Sequence, residues 1–113
     1  MIGNFINVTD SSSTGIKLNT NTARQSIVNN TIYQSVGDAV DIRSGTTSTK
    51  LENNILWVDS GYAINVANGS QSGFQSDYNL FYLARPDANI VQWEDLAFAS
   101  IFDWSLEVGF DEH

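Results

Sequence analysis

Short alternations of apolar and polar residues recur along the first three quarters of the chain. Gly15-Ile16-Lys17-Leu18, Ala39-Val40-Asp41-Ile42 and Ala63-Ile64-Asn65-Val66 each read small, apolar, polar, apolar, and successive copies stand 24 residues apart. A period of two is that of a strand with one buried face. A second set repeats at nearly the same step. Ile27-Val28-Asn29-Asn30-Thr31-Ile32-Tyr33, Leu51-Glu52-Asn53-Asn54-Ile55-Leu56-Trp57 and Ser76-Asp77-Tyr78-Asn79-Leu80-Phe81-Tyr82 superimpose so that Asn30, Asn54 and Asn79 coincide at spacings of 24 and 25, with Asn4 a further 26 upstream. Before residue 95 no run of ten or more residues carries a helical period.

Clusters of Asn, Gly, Ser and Thr bound these alternations, as at Thr9 to Gly15, Ser44 to Thr49 and Asn68 to Gly73. About two dozen residues made of short strands and turns is one coil of a parallel β-helix, each coil lying on the next at ~4.8 Å. The predicted fold is therefore all-β, a right-handed parallel β-helix solenoid of about three and a half coils with a short C-terminal helical cap. Four inward columns follow: Ile16, Val40 and Ile64; Leu18, Ile42 and Val66; Ile6, Ile32, Leu56 and Phe81; and Met1, Ile27 and Leu51. Asn30, Asn54 and Asn79 are expected at the turns, both because Asn tolerates the left-handed backbone and because stacked amides bond to their copies. Residues 1–82 make up the coils and 83–113 the cap. Within the cap, Asn89-Ile90-Val91-Gln92-Trp93 reads as a strand after the turn at Pro86. Ser100 with Asp103 three residues on reads as the N-cap of a two-turn helix that Gly109 stops.

These segments resemble the right-handed parallel β-helix repeat superfamily, which includes pectate lyases, alginate lyases, mannuronan epimerases and many secreted bacterial proteins. Val28-Asn29-Asn30-Thr31-Ile32-Tyr33 and Leu51-Glu52-Asn53-Asn54-Ile55-Leu56 are similar to its "hxNNhh" unit, and Asp77-Tyr78-Asn79-Leu80-Phe81-Tyr82 to its "DYNLFY" segment. Ser100-Ile101-Phe102-Asp103-Trp104 with Gly109-Phe110-Asp111-Glu112-His113 resembles the segment that follows it. These are scaffold motifs, shared by enzymes and non-enzymes. The resemblance implies an extracellular or cell-surface location and the C-terminal part of a longer β-helix. It leads to the expectation of a non-catalytic module that contacts polysaccharide. Two alternatives stand beside it: a fragment of a polysaccharide lyase or C5-epimerase with its active coils upstream, and a structural spacer or adhesin stalk.

Composition narrows the partners. Five Lys and Arg against thirteen Asp and Glu give a net charge of -8, which repels phosphate backbones and anionic membrane surfaces, so nucleic acid is not expected as a partner. Cysteine is absent, which excludes disulfides, thiolate metal sites and a cysteine nucleophile. No apolar run is long enough for a membrane helix, and Met1 to Asp10 has neither a basic segment nor the apolar stretch of an export signal.

Candidate chemistry is sparse. Asp38, Asp41 and Arg43 cluster in sequence, and Lys17 lies one coil from Asp41 in the outward column Lys17, Asp41, Asn65. Chemistry on a uronate needs a cation beside the sugar carboxylate and a base for the C5 proton. Two Asp and one Arg without Tyr or His fall short of that set, and Lys17 and Asp41 are expected to form an exposed cross-strand ion pair instead. His113 is the single histidine; with Asp111 and Glu112 it could collect a metal, although no second ligand cluster is visible. No cofactor is expected; Ca²⁺ is compatible with acidic uronate chemistry but has no motif. Tyr33, Trp57 and Tyr82 occupy one aligned outward position, where rings one coil apart could stack on sugars, with Lys17 as a further candidate sugar contact. The expectation is instead that residues 83–113, with Trp93 and Trp104, fold over these rings and bury them. Sequons at Asn7, Asn29 and Asn68 arise readily in an Asn- and Thr-rich repeat.

Overall fold

The computed structural model describes residues 2–9, 13–19 and 21–113. β1 (Phe5–Val8) and β2 (Ile16–Leu18) begin the stack. The next turn holds β3 (Ser26–Val28), β4 (Thr31–Val36) and β5 (Val40–Ile42); the one after holds β6 (Lys50–Glu52), β7 (Ile55–Ser60) and β8 (Tyr62–Val66). A final turn holds β9 (Gln75–Asp77), β10 (Leu80–Leu83) and β11 (Asn89–Trp93), and β12 (Leu96–Phe98) then doubles back along β11 before α1 (Ile101–Val108). Equivalent strands pair in parallel into three sheets, ordered β1-β4-β7-β10, β2-β5-β8-β11 and β3-β6-β9. The chain is a parallel β-helix with three full turns after β1 and β2.

The register matches the predicted columns. Ile16, Val40, Ile64 and Val91 stand in one line and Leu18, Ile42, Val66 and Trp93 in another. Ile6, Ile32, Leu56 and Phe81 form the third. In the fourth, Ile27 and Leu51 pair as expected and Ser76 continues the line, while Met1 lies outside the described residues. Val40, Ile42, Leu51, Leu56 and Ile64 are fully buried, each burial worth about 1.5–3 kcal/mol against an exposed side chain. The corner between the first and second sheets requires glycine. Gly61 sits at φ 121° directly on Gly37, itself at φ 100°, and a Cβ on Gly61 would fall 2.2 Å from the Gly37 carbonyl oxygen.

The asparagine column is a continuous amide ladder, but its backbone role differs from the expectation. The left-handed residues are Asn29, Asn53 and Tyr78, at φ 59°, 57° and 58°, each one position before the ladder asparagine. Asn30 and Asn54 are buried and hand hydrogen bonds from turn to turn. The Asn4 amide group and backbone N–H both donate to Asn30 Oδ1, at 3.0 and 3.1 Å; those of Asn30 donate to Asn54 Oδ1, and those of Asn54 to Asn79 Oδ1. The turn backbone thus takes its left-handed kink at one residue, and the next supplies the side chain that satisfies it.

The cap forms as predicted in its parts. Ser100 Oγ accepts from the N–H groups of Phe102 and Asp103, α1 runs for eight residues, and Gly109 ends it at φ 85°. β12 was not foreseen. Its course, however, is along the end of the stack: Trp104 is fully buried among Trp93, Phe98 and Phe110, with Phe74 beneath them.

Candidate functional site

Alternation along β1, β4, β7 and β10 turns every second side chain outward, and the parallel register aligns them into columns on one sheet face. The central column is Asn7, Tyr33, Trp57 and Tyr82; beside it run Phe5, Thr31, Ile55 and Leu80. This face is open. Trp57 is 43% and Tyr82 53% exposed, Phe5 reaches 74%, and Tyr33 is partly covered. The expectation that the cap buries these rings is therefore corrected. Phe98, Trp104 and Phe110 of the cap seal the end of the core, where the last turn would otherwise leave Phe74 and Trp93 without cover.

The rings pack on one another without lying flat. Tyr33 meets Trp57 edge to face at 5.5 Å between centroids, and Trp57 leans on Tyr82 at 4.6 Å and 59°. Asp59, two residues beyond Trp57 on the same strand face, holds two of them. Its carboxylate accepts from the Tyr33 hydroxyl at 2.6 Å and from Trp57 Nε1 at 3.0 Å. That hydrogen bond, with the adjoining negative charge, raises the Tyr33 phenol above its ordinary value. Between Phe5, Asn7, Thr31, Tyr33, Ile55 and Trp57 lies a cleft of about 430 Å³. Neither Asp59 nor the column of Phe5, Ile55 and Leu80 was singled out from sequence. The signal was present in the same alternation, two residues to either side of the aromatic position.

The structure takes the other candidates elsewhere. Lys17 stands on β2 in the second sheet, opposite Asp41 in register and exposed, on a different face from the rings. Asp41 does not pair with it. Only 3% of Asp41 is exposed, and its carboxylate meets Arg43, the residue after β5, at 2.6 Å. Asp38 accepts from Asn65 Nδ2 at 3.0 Å; burial pushes its carboxyl above the usual range, and the charge of Asp41 adds to this against the Asn65 bond. Asp38, Asp41 and Arg43 thus do sit together, as a polar patch tied internally.

The three terminal residues diverge. Asp111 turns inward, Glu112 is exposed, and His113 lies over the last turn, its Nδ1 2.8 Å from Asp77 and its ring stacked on Tyr78. Burial pushes Asp77 up, but the side-chain and backbone hydrogen bonds from His113 and the Tyr78 N–H outweigh it and hold the carboxyl below its ordinary value. Among the described residues no group of three or more His, Asp or Glu is placed to hold a metal.

Compared with family models, curated proteins and solved structures, the chain has no match.

Proposed function

We propose that this chain is a non-catalytic β-helix module of a secreted or cell-surface protein, and that its aromatic sheet face contacts polysaccharide. One observation carries the reading: Tyr33, Trp57 and Tyr82 form an exposed ladder of rings, held by Asp59, on a rigid stacked sheet. Exposed contiguous apolar surface marks an interaction site, and aromatic rings give sugars apolar area together with directional contact. The spacing supports an extended ligand. A polymer laid along the helix axis meets one ring of the ladder for each turn it passes.

The non-catalytic part is supported by the state of the acidic patch. Asp41 is engaged by Arg43 and buried, and the residues in register with it on the neighbouring turns are Lys17 and Asn65 rather than Tyr or His. A structural spacer is the second reading, favoured by the exposed apolar column of Phe5, Ile55 and Leu80, which would suit packing against protein.

Affinity electrophoresis through polysaccharide-containing gels tests the binding. Retardation that Trp57→Ala removes, with the fold retained by circular dichroism, is the expected result; free migration in every polysaccharide leaves the spacer reading. An assay for unsaturated uronates on pectate and alginate, with and without Ca²⁺, tests catalysis. Steady product formation abolished by Asp41→Ala would overturn the non-catalytic assignment.

A further inference from the structure

Resting on the polysaccharide reading, we infer that the ligand is a neutral glycan and that Asp59 is the residue that sets the face against uronates. The cleft beside Trp57 is lined by uncharged residues throughout, from Phe5 and Asn7 through Thr31 and Tyr33 to Ile55 and Trp57. The polar groups it offers are an amide and hydroxyls, which bond to sugar hydroxyls and provide no counter-charge for a carboxylate. Charge enters the face at its other margin. Asp59 carries one negative charge against the Tyr33 hydroxyl and the Trp57 indole, and Arg85 lies near enough for its charge to act on the Tyr33 phenol. The two offset one another, so the ring face presents no excess cation to a uronate. Lys17, the other basic residue considered for sugar contact, is on the second sheet and cannot contribute. Around this balanced face the chain carries a net charge of -8, which repels a polyanion at long range.

Asp59 also occupies both ring donors. With the phenol hydroxyl and indole N–H satisfied by its carboxylate, Tyr33 and Trp57 turn apolar surface and one acceptor toward the ligand. That combination suits a sugar ring with its hydroxyls intact and opposes one bearing a carboxylate.

The full chain is run through gels containing mixed-linkage β-glucan or galactomannan, and through gels containing polygalacturonate or alginate, each at low and high salt. The expected result is retardation by a neutral polymer that salt leaves unchanged, with uronates retarding the wild type far more weakly than neutral polymers at low salt. Asp59→Asn removes the charge and retains an amide oxygen as an acceptor for the rings. With the neutral binding of the same variant as its reference, the uronate-to-neutral ratio should rise by about fivefold at low salt, the size of one unit-charge interaction at contact distance in water. Wild type that binds uronates as well as neutral polymers, or Asp59→Asn with an unchanged ratio, overturns the assignment of ligand class while the polysaccharide reading survives. Free passage of the wild type through all four gels removes both. The salt series on wild type stands independently of the variant: neutral binding that weakens steeply with salt also counts against the inference.

Discussion

The two ends of this stack are built differently although the turns between them repeat. At the first turn, among the described residues, β1 and β2 each have a parallel neighbour on one side, Ile2 and Phe5 face solvent, and Asn4 is exposed. At the last turn β12 covers the edge of β11, Trp104 is fully buried, and Asp111 takes the next place in the amide ladder. The ladder has a direction. Each asparagine gives its N–H donors to the following turn and receives at Oδ1 from the preceding one, so the series needs an acceptor at its far end and needs no further donor there. Asp111 supplies this: its carboxylate accepts from Asn79 Nδ2 at 2.8 Å, from Trp104 Nε1 at 3.0 Å and from the Ser76 hydroxyl, while its own N–H donates to the Ser76 carbonyl. A carboxylate only accepts, which suits a terminus. At the other end, among the described residues, nothing donates to Asn4 Oδ1.

The largest effect should come from the turns that both ends share. Val40→Asp or Ile64→Asp places an unpaired carboxylate in the middle of a fully buried column, and either variant should fail to fold. Thermal denaturation followed by circular dichroism checks this. A cooperative transition within a few degrees of wild type would remove the register described above and with it the comparison of ends.

Next in size is the contrast between the ends themselves. Asp111→Ala leaves the Asn79 amide, the Trp104 indole and the Ser76 hydroxyl without their buried acceptor, and should cost about 3–5 kcal/mol. Asn4→Ala removes an exposed amide, while its partner Asn30 Oδ1 still accepts from the backbone N–H of residue 4, and should cost less than about 1 kcal/mol. Urea denaturation measures both. Equal losses would mean that the ladder is not finished at one end in the way its hydrogen bonds indicate.

The unequal ends were only partly legible beforehand. The columns could be read because two periods coincide, two residues along each strand and 24 or 25 between turns, so an error in either would have scrambled Ile16, Val40 and Ile64 together. The left-handed position was missed by one residue because the alignment marks a turn without saying which of Asn29 and Asn30 bends. Tyr78, holding the left-handed place where the other turns have asparagine, gave no sign of it. Asp111 could not be recognised as a ladder member. Its place follows from the return of the chain after α1, 32 residues beyond Asn79, so the repeat step no longer applies. The same long path hid where the cap lies. Local pattern marks Trp93, Trp104 and Phe110 as needing cover, yet both the end of the core and the ring-bearing flank could have met that need. Three-dimensional closure chose the end, and so left Trp57 and Tyr82 open.

The smallest expected effect lies away from either end, at Asp38. Burial, reinforced by the neighbouring Asp41 charge, raises its carboxyl in the folded chain above the ordinary value of an unfolded one. The folded state therefore holds this proton more tightly, and between the ordinary and the raised value it binds more protons than the unfolded state. Stability from this group is complete below the ordinary carboxylate range and falls as pH rises through the raised value. Asp38→Asn keeps an acceptor for Asn65 Nδ2 and removes the charge. At neutral pH it should stabilise the chain by up to about 0.5 kcal/mol, the scale of a largely solvent-screened charge, and the gain should vanish in acid below the ordinary carboxylate range. Combined with Asp111→Ala, the two changes should add to within about 0.5 kcal/mol if the middle of the stack and its finished end are energetically independent. Denaturation of the two single variants and the double variant across pH decides it: a gain that grows toward acid reverses the sign derived from Asp38, and a large coupling joins regions that the hydrogen-bond network keeps apart.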